Sequence, residues 1–474
     1  MTTAVDARRL GKPFWIIWAV ELWERFGYYG VQAIITLYFV QQLGYTEAES
    51  FYVFGSFSAF VYGFVWIGGW LGDQYFGAKR MMVLGAIVLA FSYAGLAMAT
   101  HGTIFYALAG IVIGNTLFKA NPTSLISKMY AHDHGMLDGA MTYYYMAINV
   151  GSMISMSVTP ILADVYGWSV AFWVCSAGLF LGLGNYYVYR RVLTDIDTEP
   201  GLKSFSFRRL AIILIASALA LVVIANLLVY SALCYRIVYG VVFFGFFIFL
   251  KVALSRQGKE RTRMLVALVL ITQGIVFFVL YNQMPTSLTF FALHNVNNEL
   301  LGWHIPPAEY QVLNPLIIVL VSPFLVWMYR KAPATHVTKF CFGMTLCALA
   351  FLVLAIPEHF TTTGLVSPWW MVLTYVLQST GELLISGLGL AMVVSLCPKN
   401  MSGFVVGIWF LTNMLAGPIG AWVGALTTVD ASVTLTTMES LHLYSHVFCM
   451  IGTATGAVTL LMWLFRPLLN KLLA

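Results

Sequence analysis

Fourteen stretches of mainly apolar residues recur from end to end of this chain, and no interval between them is long enough for a soluble domain. They lie near 14–40, 51–72, 81–100, 103–127, 138–162 and 168–189, then near 209–230 and 235–254. The rest lie near 264–287, 310–330, 337–356, 368–396, 403–427 and 443–465. A helix needs about 20 apolar residues to cross the hydrocarbon core. Within lipid every backbone N–H and C=O must be satisfied internally, and a helix does this alone. The expected fold class is therefore an all-α polytopic membrane protein with 14 transmembrane helices. Composition agrees: 9% of the 474 residues are charged, against about a quarter in soluble domains.

The helices group as six, two and six. The longest polar break, Thr194 to Lys203, follows the sixth stretch, and a basic break from Ser255 to Arg263 follows the eighth. These breaks divide the chain into an N-terminal six-helix bundle (1–195), two extra linker helices (196–260) and a C-terminal six-helix bundle (261–474). Six-plus-six organisation is common in carriers whose site lies near the membrane midplane. The middle pair holds no internal charge except Arg236 near one end, so it is expected outside the transport pathway.

A net charge of +6 could suggest nucleic acid as a partner, but the charges are distributed by topology. Basic residues occupy alternate breaks: Arg8, Arg9 and Lys12; Lys79 and Arg80; Lys128; Arg190 and Arg191; Lys251 and Arg256; Arg330 and Lys331; Lys399; Arg466 and Lys471. The intervening breaks carry mainly Asp and Glu. The positive-inside rule then places both termini in the cytoplasm. No CxxC pair occurs among the six cysteines, so neither a disulfide framework nor a metal site is expected. No cofactor is expected either. The amino terminus lacks a small-residue cleavage pattern, so the first helix is expected to be retained.

Five charged residues lie clear of the span ends. The run Glu21-Leu22-Trp23-Glu24-Arg25-Phe26-Gly27-Tyr28-Tyr29-Gly30 places three of them in the first helix. At a period of about 3.6 residues, Glu21, Glu24, Arg25, Tyr28 and Gln32 share one face. A charge at the bilayer centre costs at least about 2.5 kcal/mol, so such a face turns towards a bundle interior or a water-filled cavity. Lys119 lies in the span near 103–127, with Asn115 four residues earlier. Glu382 lies in the span near 368–396, in a polar row with Gln378 and Ser386. Tyr62, Tyr145, Asn149 and Asn314 are further polar candidates.

Three carboxylates against two cations leave one carboxylate without a fixed partner, and such a group can take up a proton. That is the arrangement a proton-coupled carrier needs. None of the nine histidines lies mid-span, so the carboxylates are the better proton carriers. Simpler roles compete: Glu21 with Arg25 can be a structural ion pair, Asn149 a bond between helices, and Trp409 a packing residue. A channel needs a polar lumen but no odd carboxylate. A membrane enzyme would need a metal or nucleophile, and no His/Cys/Asp cluster sits mid-span.

Several motifs resemble the proton-dependent oligopeptide transporters, a branch of the major facilitator superfamily. Glu21–Gly30 matches that family's Glu-x-x-Glu-Arg-Phe-x-Tyr-Tyr-Gly. Gly68-Gly69-Trp-Leu-Gly-Asp73-Gln-Tyr-Phe-Gly77-Ala-Lys79-Arg80 is similar to the superfamily's loop between helices two and three. Leu117-Phe-Lys-Ala-Asn121 resembles Phe-Lys-Pro-Asn, with Ala120 in place of proline. Tyr143 to Ser152 resembles Phe-Tyr-x-x-Ile-Asn-x-Gly-Ser, and Ser379-Thr-Gly-Glu382-Leu the family's Ser-x-Gly-Glu-Leu. The two central helices also match bacterial members.

The resemblance implies a symporter that imports di- and tripeptides with protons by alternating access, not an enzyme, in the bacterial inner membrane. Another substrate, such as nitrate, a sugar or a drug, is the alternative within carriers; Glu382 disfavours small anions. Glu21, Glu24, Arg25 and Lys119 are the implied proton-coupling residues. Glu382 is implied as the receiver of the peptide's amino terminus, with Asn149 and Asn314; Tyr28, Tyr29, Tyr62 and Trp409 would line the cavity. Many members carry an Arg where Gln32 stands and a Glu where Asn282-Gln283 stands, and these can bridge the halves on the outer side. Loss of both leaves no unpaired charge. It shifts the peptide carboxylate towards Lys119 and Arg25, with Gln32 and Asn282 kept as substrate-site candidates. A monomer is expected.

Overall fold

Each of the fourteen apolar stretches forms a helix in the computed structural model, which describes residues 7–300, 302–331, 335–398, 401–430 and 432–473. In chain order they are α1 (Gly11–Gln41), α2 (Glu47–Phe76), α3 (Ala78–Ala97), α4 (Ile104–Met129), α5 (Gly135–Tyr166), α6 (Trp168–Leu193), α7 (Phe207–Val229) and α8 (Ser231–Ser255). Then follow α9 (Gly258–Asn295), α10 (Pro307–Leu325), α11 (His336–Phe360), α12 (Trp369–Leu396), α13 (Gly403–Ala425) and α14 (Thr437–Leu472). Among the described residues, twelve of these are long and apolar enough to cross a membrane by length and composition. The other two are the charge-bearing α1 and α12, of 31 and 28 residues. A two-stranded hairpin, Glu299–Leu300 with Trp303–His304, is a small addition that the sequence pattern did not signal. Lys399, one of the basic residues behind the expected orientation, lies outside the described residues.

Local chemistry sets the helix ends. Thr46 and Glu49 form a capping box at the start of α2: the Thr46 N–H donates to Glu49 Oε2 at 2.8 Å and the Glu49 N–H to Thr46 Oγ1 at 3.2 Å. Thr436 and Glu439 repeat it at α14. Asp133 and Ser206 accept from the first-turn N–H groups of Met136 and Arg209, capping α5 and α7.

By Cα proximity the chain divides into two compact units, Met1–Tyr38 with Phe60–Ser231, and Phe39–Ala59 with Ala232–Ala474. In the first, α3 packs on α4 and α6, α5 on α6, and α7 on α4. In the second, α11 packs on α12 and α14, α9 on α12 and α13, and α10 on α12. The two middle helices part company: α7 groups with the first unit and α8 with the second. Only 22% of the apolar stretch of each is buried, against 72% in α2 and α4. Both therefore leave most of their apolar surface uncovered by the rest of the chain.

The polar break after α6 is an ordered clamp on the α2–α3 turn. Gly77 makes that turn at φ +108°, a conformation glycine adopts without penalty. A Cβ there would also stand 2.4 Å from Gly201 Cα. The Thr198 hydroxyl donates to the Gly72 carbonyl at 2.6 Å and accepts from the Ala78 N–H at 3.1 Å. Asp197 accepts from the Lys79 N–H at 3.2 Å. Arg80 donates to the Lys203 carbonyl at 2.7 Å, its guanidinium lying over Phe76 and Phe205. The Gly68–Arg80 motif thus holds the linker down.

Candidate functional site

In the first unit the charged face of α1 is buried. Glu21, Glu24 and Arg25 are 1%, 0% and 2% exposed. Arg25 Nε lies 3.1 Å from Glu21 Oε1, and Arg25 Nη2 lies 2.5 Å from Glu24 Oε2. One guanidinium thus serves two carboxylates, so the triad carries a net charge of −1 when both are ionised. Lys119 supplies the second cation, close enough to interact electrostatically with all three. Its ammonium sits 4.2 Å above the Tyr62 ring. Tyr62 in turn bonds to the Tyr28 hydroxyl, and Arg25 lies 5.6 Å over the Tyr28 ring. Tyr29 meets Tyr28 edge-on at 5.3 Å. Gln32 is buried one turn beyond Tyr28.

Two features of the sequence assemble this cluster. Asn115 and Asn121 flank Lys119 on α4 and tie it to α2. Asn115 Nδ2 donates to the Val61 carbonyl at 2.9 Å, and Asn121 Nδ2 to the Gly68 carbonyl at 3.3 Å. Asn115 is therefore a tether for Lys119 rather than a partner of it. On α5, a Cβ at Gly151 would stand 2.5 Å from the Leu22 carbonyl oxygen. Glycine there lets α5 close onto the charged face of α1.

The same approach brings in Tyr144, which interacts with Glu21. Sequence reading favoured its neighbour Tyr145, which is 44% exposed, against 6% for Tyr144. The missed signal is spacing: Tyr144 lies seven residues, two turns, before Gly151 and so shares the face that meets α1. Asn149, on α5, is buried and donates to its own helix at the Tyr145 carbonyl, 2.9 Å away.

In the second unit, Glu382 on α12 accepts a 2.6 Å hydrogen bond from Asn314 Nδ2 on α10. Asn314 Nδ2 also donates to Ser379 Oγ at 3.0 Å, which fixes the amide between them. Among the described residues no lysine or arginine pairs with Glu382, in contrast to the α1 carboxylates. In the same polar row, the Gln378 amide donates to the Leu280 carbonyl of α9 at 3.0 Å. Asn282 donates to the Phe278 carbonyl and accepts from Ser58, at 3.0 and 3.4 Å. Gln283 bonds the Val279 and Gly420 carbonyls. Trp409 is buried, edge-on to Phe278 at 5.9 Å and packed on Gly274 and Gly389. These last residues hold α9, α12 and α13 together.

Helices of membrane-spanning length with buried, partly compensated charges describe an all-α polytopic membrane protein. The profile of the POT family matches residues 78–440, which leaves the Glu21–Gly30 motif outside the matched region. The chain belongs to this family. It is 46% identical to the dipeptide and tripeptide permease A of Yersinia pestis, over 99% of this chain and 95% of that one. The permease of the same name from Escherichia coli K12 matches with the same identity and coverage. Among solved structures, tetrameric PepTSo2 superposes with a TM-score of 0.88 at 35% identity, covering 97% of this chain and 99% of that one. A POT peptide transporter crystallised with alafosfalin superposes with a TM-score of 0.83 at 27% identity, over 97% and 95%.

Proposed function

We propose that this protein imports di- and tripeptides together with protons by alternating access. The observation that carries the proposal is the α1 triad, two fully buried carboxylates sharing one arginine. A proton on either carboxylate makes the triad neutral, and its release restores a charge that Lys119 balances. The coupled charge gains about 2.3 kcal/mol per 100 mV of membrane potential. Glu21, Glu24, Arg25 and Lys119 form the coupling cluster, and Tyr144 positions Glu21. Glu382, held by Asn314 and without a basic partner among the described residues, takes the peptide's ammonium group. Lys119 and Arg25 take its carboxylate, with Tyr28, Tyr29, Tyr62, Gln32 and Asn149 around the substrate. Asn282 and Trp409 are further substrate-site residues.

The six-helix bundles 1–195 and 261–474 carry transport, and the pair 196–260 stays outside the pathway. The membrane is the bacterial inner membrane, with both termini cytoplasmic. A single chain is the transport unit, although PepTSo2 crystallises as a tetramer.

Competition for uptake of labelled dialanine into proteoliposomes tests the substrate class. Unlabelled trialanine should compete as dialanine does, whereas alanine and tetra-alanine should not. Equal competition by alanine would contradict the reading.

A further inference from the structure

Where α7 lies against the first unit, its middle turns do not close the gap. Ile213 and Ile224 are buried against the bundle at 3% and 6% exposure. Between them, the small side chains of Ala216, Ser217 and Ala220 line a groove of about 570 Å³, with α2 and α4 forming its other wall. That volume falls within the about 300–1,000 Å³ of small-molecule sites. The lining is almost wholly apolar and lies within the membrane-spanning length of all three helices, so water is a poor occupant.

One end of the groove is different. Tyr75 lines it there, and Arg209, in the first turn of α7, donates to the Tyr75 carbonyl at 2.8 Å. The Arg209 guanidinium lies 5.3 Å over the Tyr75 ring, which stacks in turn on Trp70. Trp70 is 55% exposed, and the neighbouring Arg208 is exposed too. Among the described residues no carboxylate pairs with either arginine. Aromatic rings and arginines mark a membrane–water interface, and basic clusters there attract anionic headgroups.

We propose that this groove binds one phospholipid with an anionic headgroup, its acyl chain lying along Ala216 and Ala220 and its phosphate on Arg209. Such a lipid completes the packing of α7 on α2 and α4, which the small residues leave open. It also gives this peripheral helix a role the transport reading does not supply.

The test is native mass spectrometry of the full chain released from nanodiscs of equal phosphatidylglycerol and phosphatidylethanolamine. The wild-type chain should retain one phosphatidylglycerol with about a five-fold or greater preference. Arg209→Gln should erase the preference while Arg209→Lys keeps most of it. Ala220→Phe, which fills the groove, should abolish retention, and Ser217→Leu is a milder filler should that variant fold poorly. Equal retention of both lipids, an unchanged preference in Arg209→Gln, or full retention in both groove-filled variants would overturn the proposal. Peptide uptake is a separate readout, so failure here leaves the transport reading intact.

Discussion

One arginine shared by two buried carboxylates differs in kind from an ordinary ion pair. Removing one partner of a buried pair leaves an uncompensated charge and costs about 3–5 kcal/mol. In the proposed coupling role, Lys119 and a bound proton would each stand in, and the cluster would tolerate the charge changes a transport cycle demands. The face was legible in the sequence, because the spacing of Glu21, Glu24, Arg25 and Tyr28 fits a single helical face and charges in apolar segments are conspicuous. Tyr144 was not, since three adjacent tyrosines leave the choice of face to a packing contact at Gly151. Glu382 makes the sharpest residue-level prediction. Hydrogen bonds to charged groups are worth about 1.5–3 kcal/mol, so Glu382→Gln should weaken free-amino-terminal dipeptides by about 10- to 100-fold. Amino-terminally acetylated analogues should be nearly unaffected, as competition assays on both would show. Equal losses would remove Glu382 from amino-terminal recognition.

At the scale of elements, all fourteen helices were legible, because about 20 apolar residues in a row have few other fates. The details between them were not. The break at Thr194–Lys203 reads as a polar linker, yet its Thr198 and Asp197 bond to Gly72, Ala78 and Lys79 more than a hundred residues away. Backbone partners at that separation leave no periodic trace in a sequence. The same limit applies to Gln378 and Asn282: the Gln378 amide donates to the Leu280 carbonyl on another helix, and the Asn282 amide to the Phe278 carbonyl one turn back. The clamp is testable by hydrogen exchange. Asp197→Ala removes the acceptor of the Lys79 and Thr198 N–H groups. It should speed exchange across residues 193–203 by about ten-fold, as expected for the loss of about 1.5 kcal/mol of local hydrogen bonding. Exchange as slow as in the wild type would show that the linker is held by other contacts.

At the scale of the whole molecule, composition set the class and the charge pattern set the expected orientation. The grouping of α7 with one unit and α8 with the other was not visible, because both are uniformly apolar and carry no mark of which neighbour they cover. Low burial along both helices leaves most of their apolar surface uncovered by the rest of the chain. The central claim is that peptide movement is driven by protons through the α1 triad. The direct measurement is uptake of radiolabelled dialanine into proteoliposomes with and without an inward proton gradient, for the wild type and Glu24→Gln. The account predicts wild-type accumulation above equilibrium only with the gradient, and a variant that exchanges dialanine but never accumulates it. Equal wild-type levels with and without the gradient, or undiminished accumulation by Glu24→Gln, would contradict it.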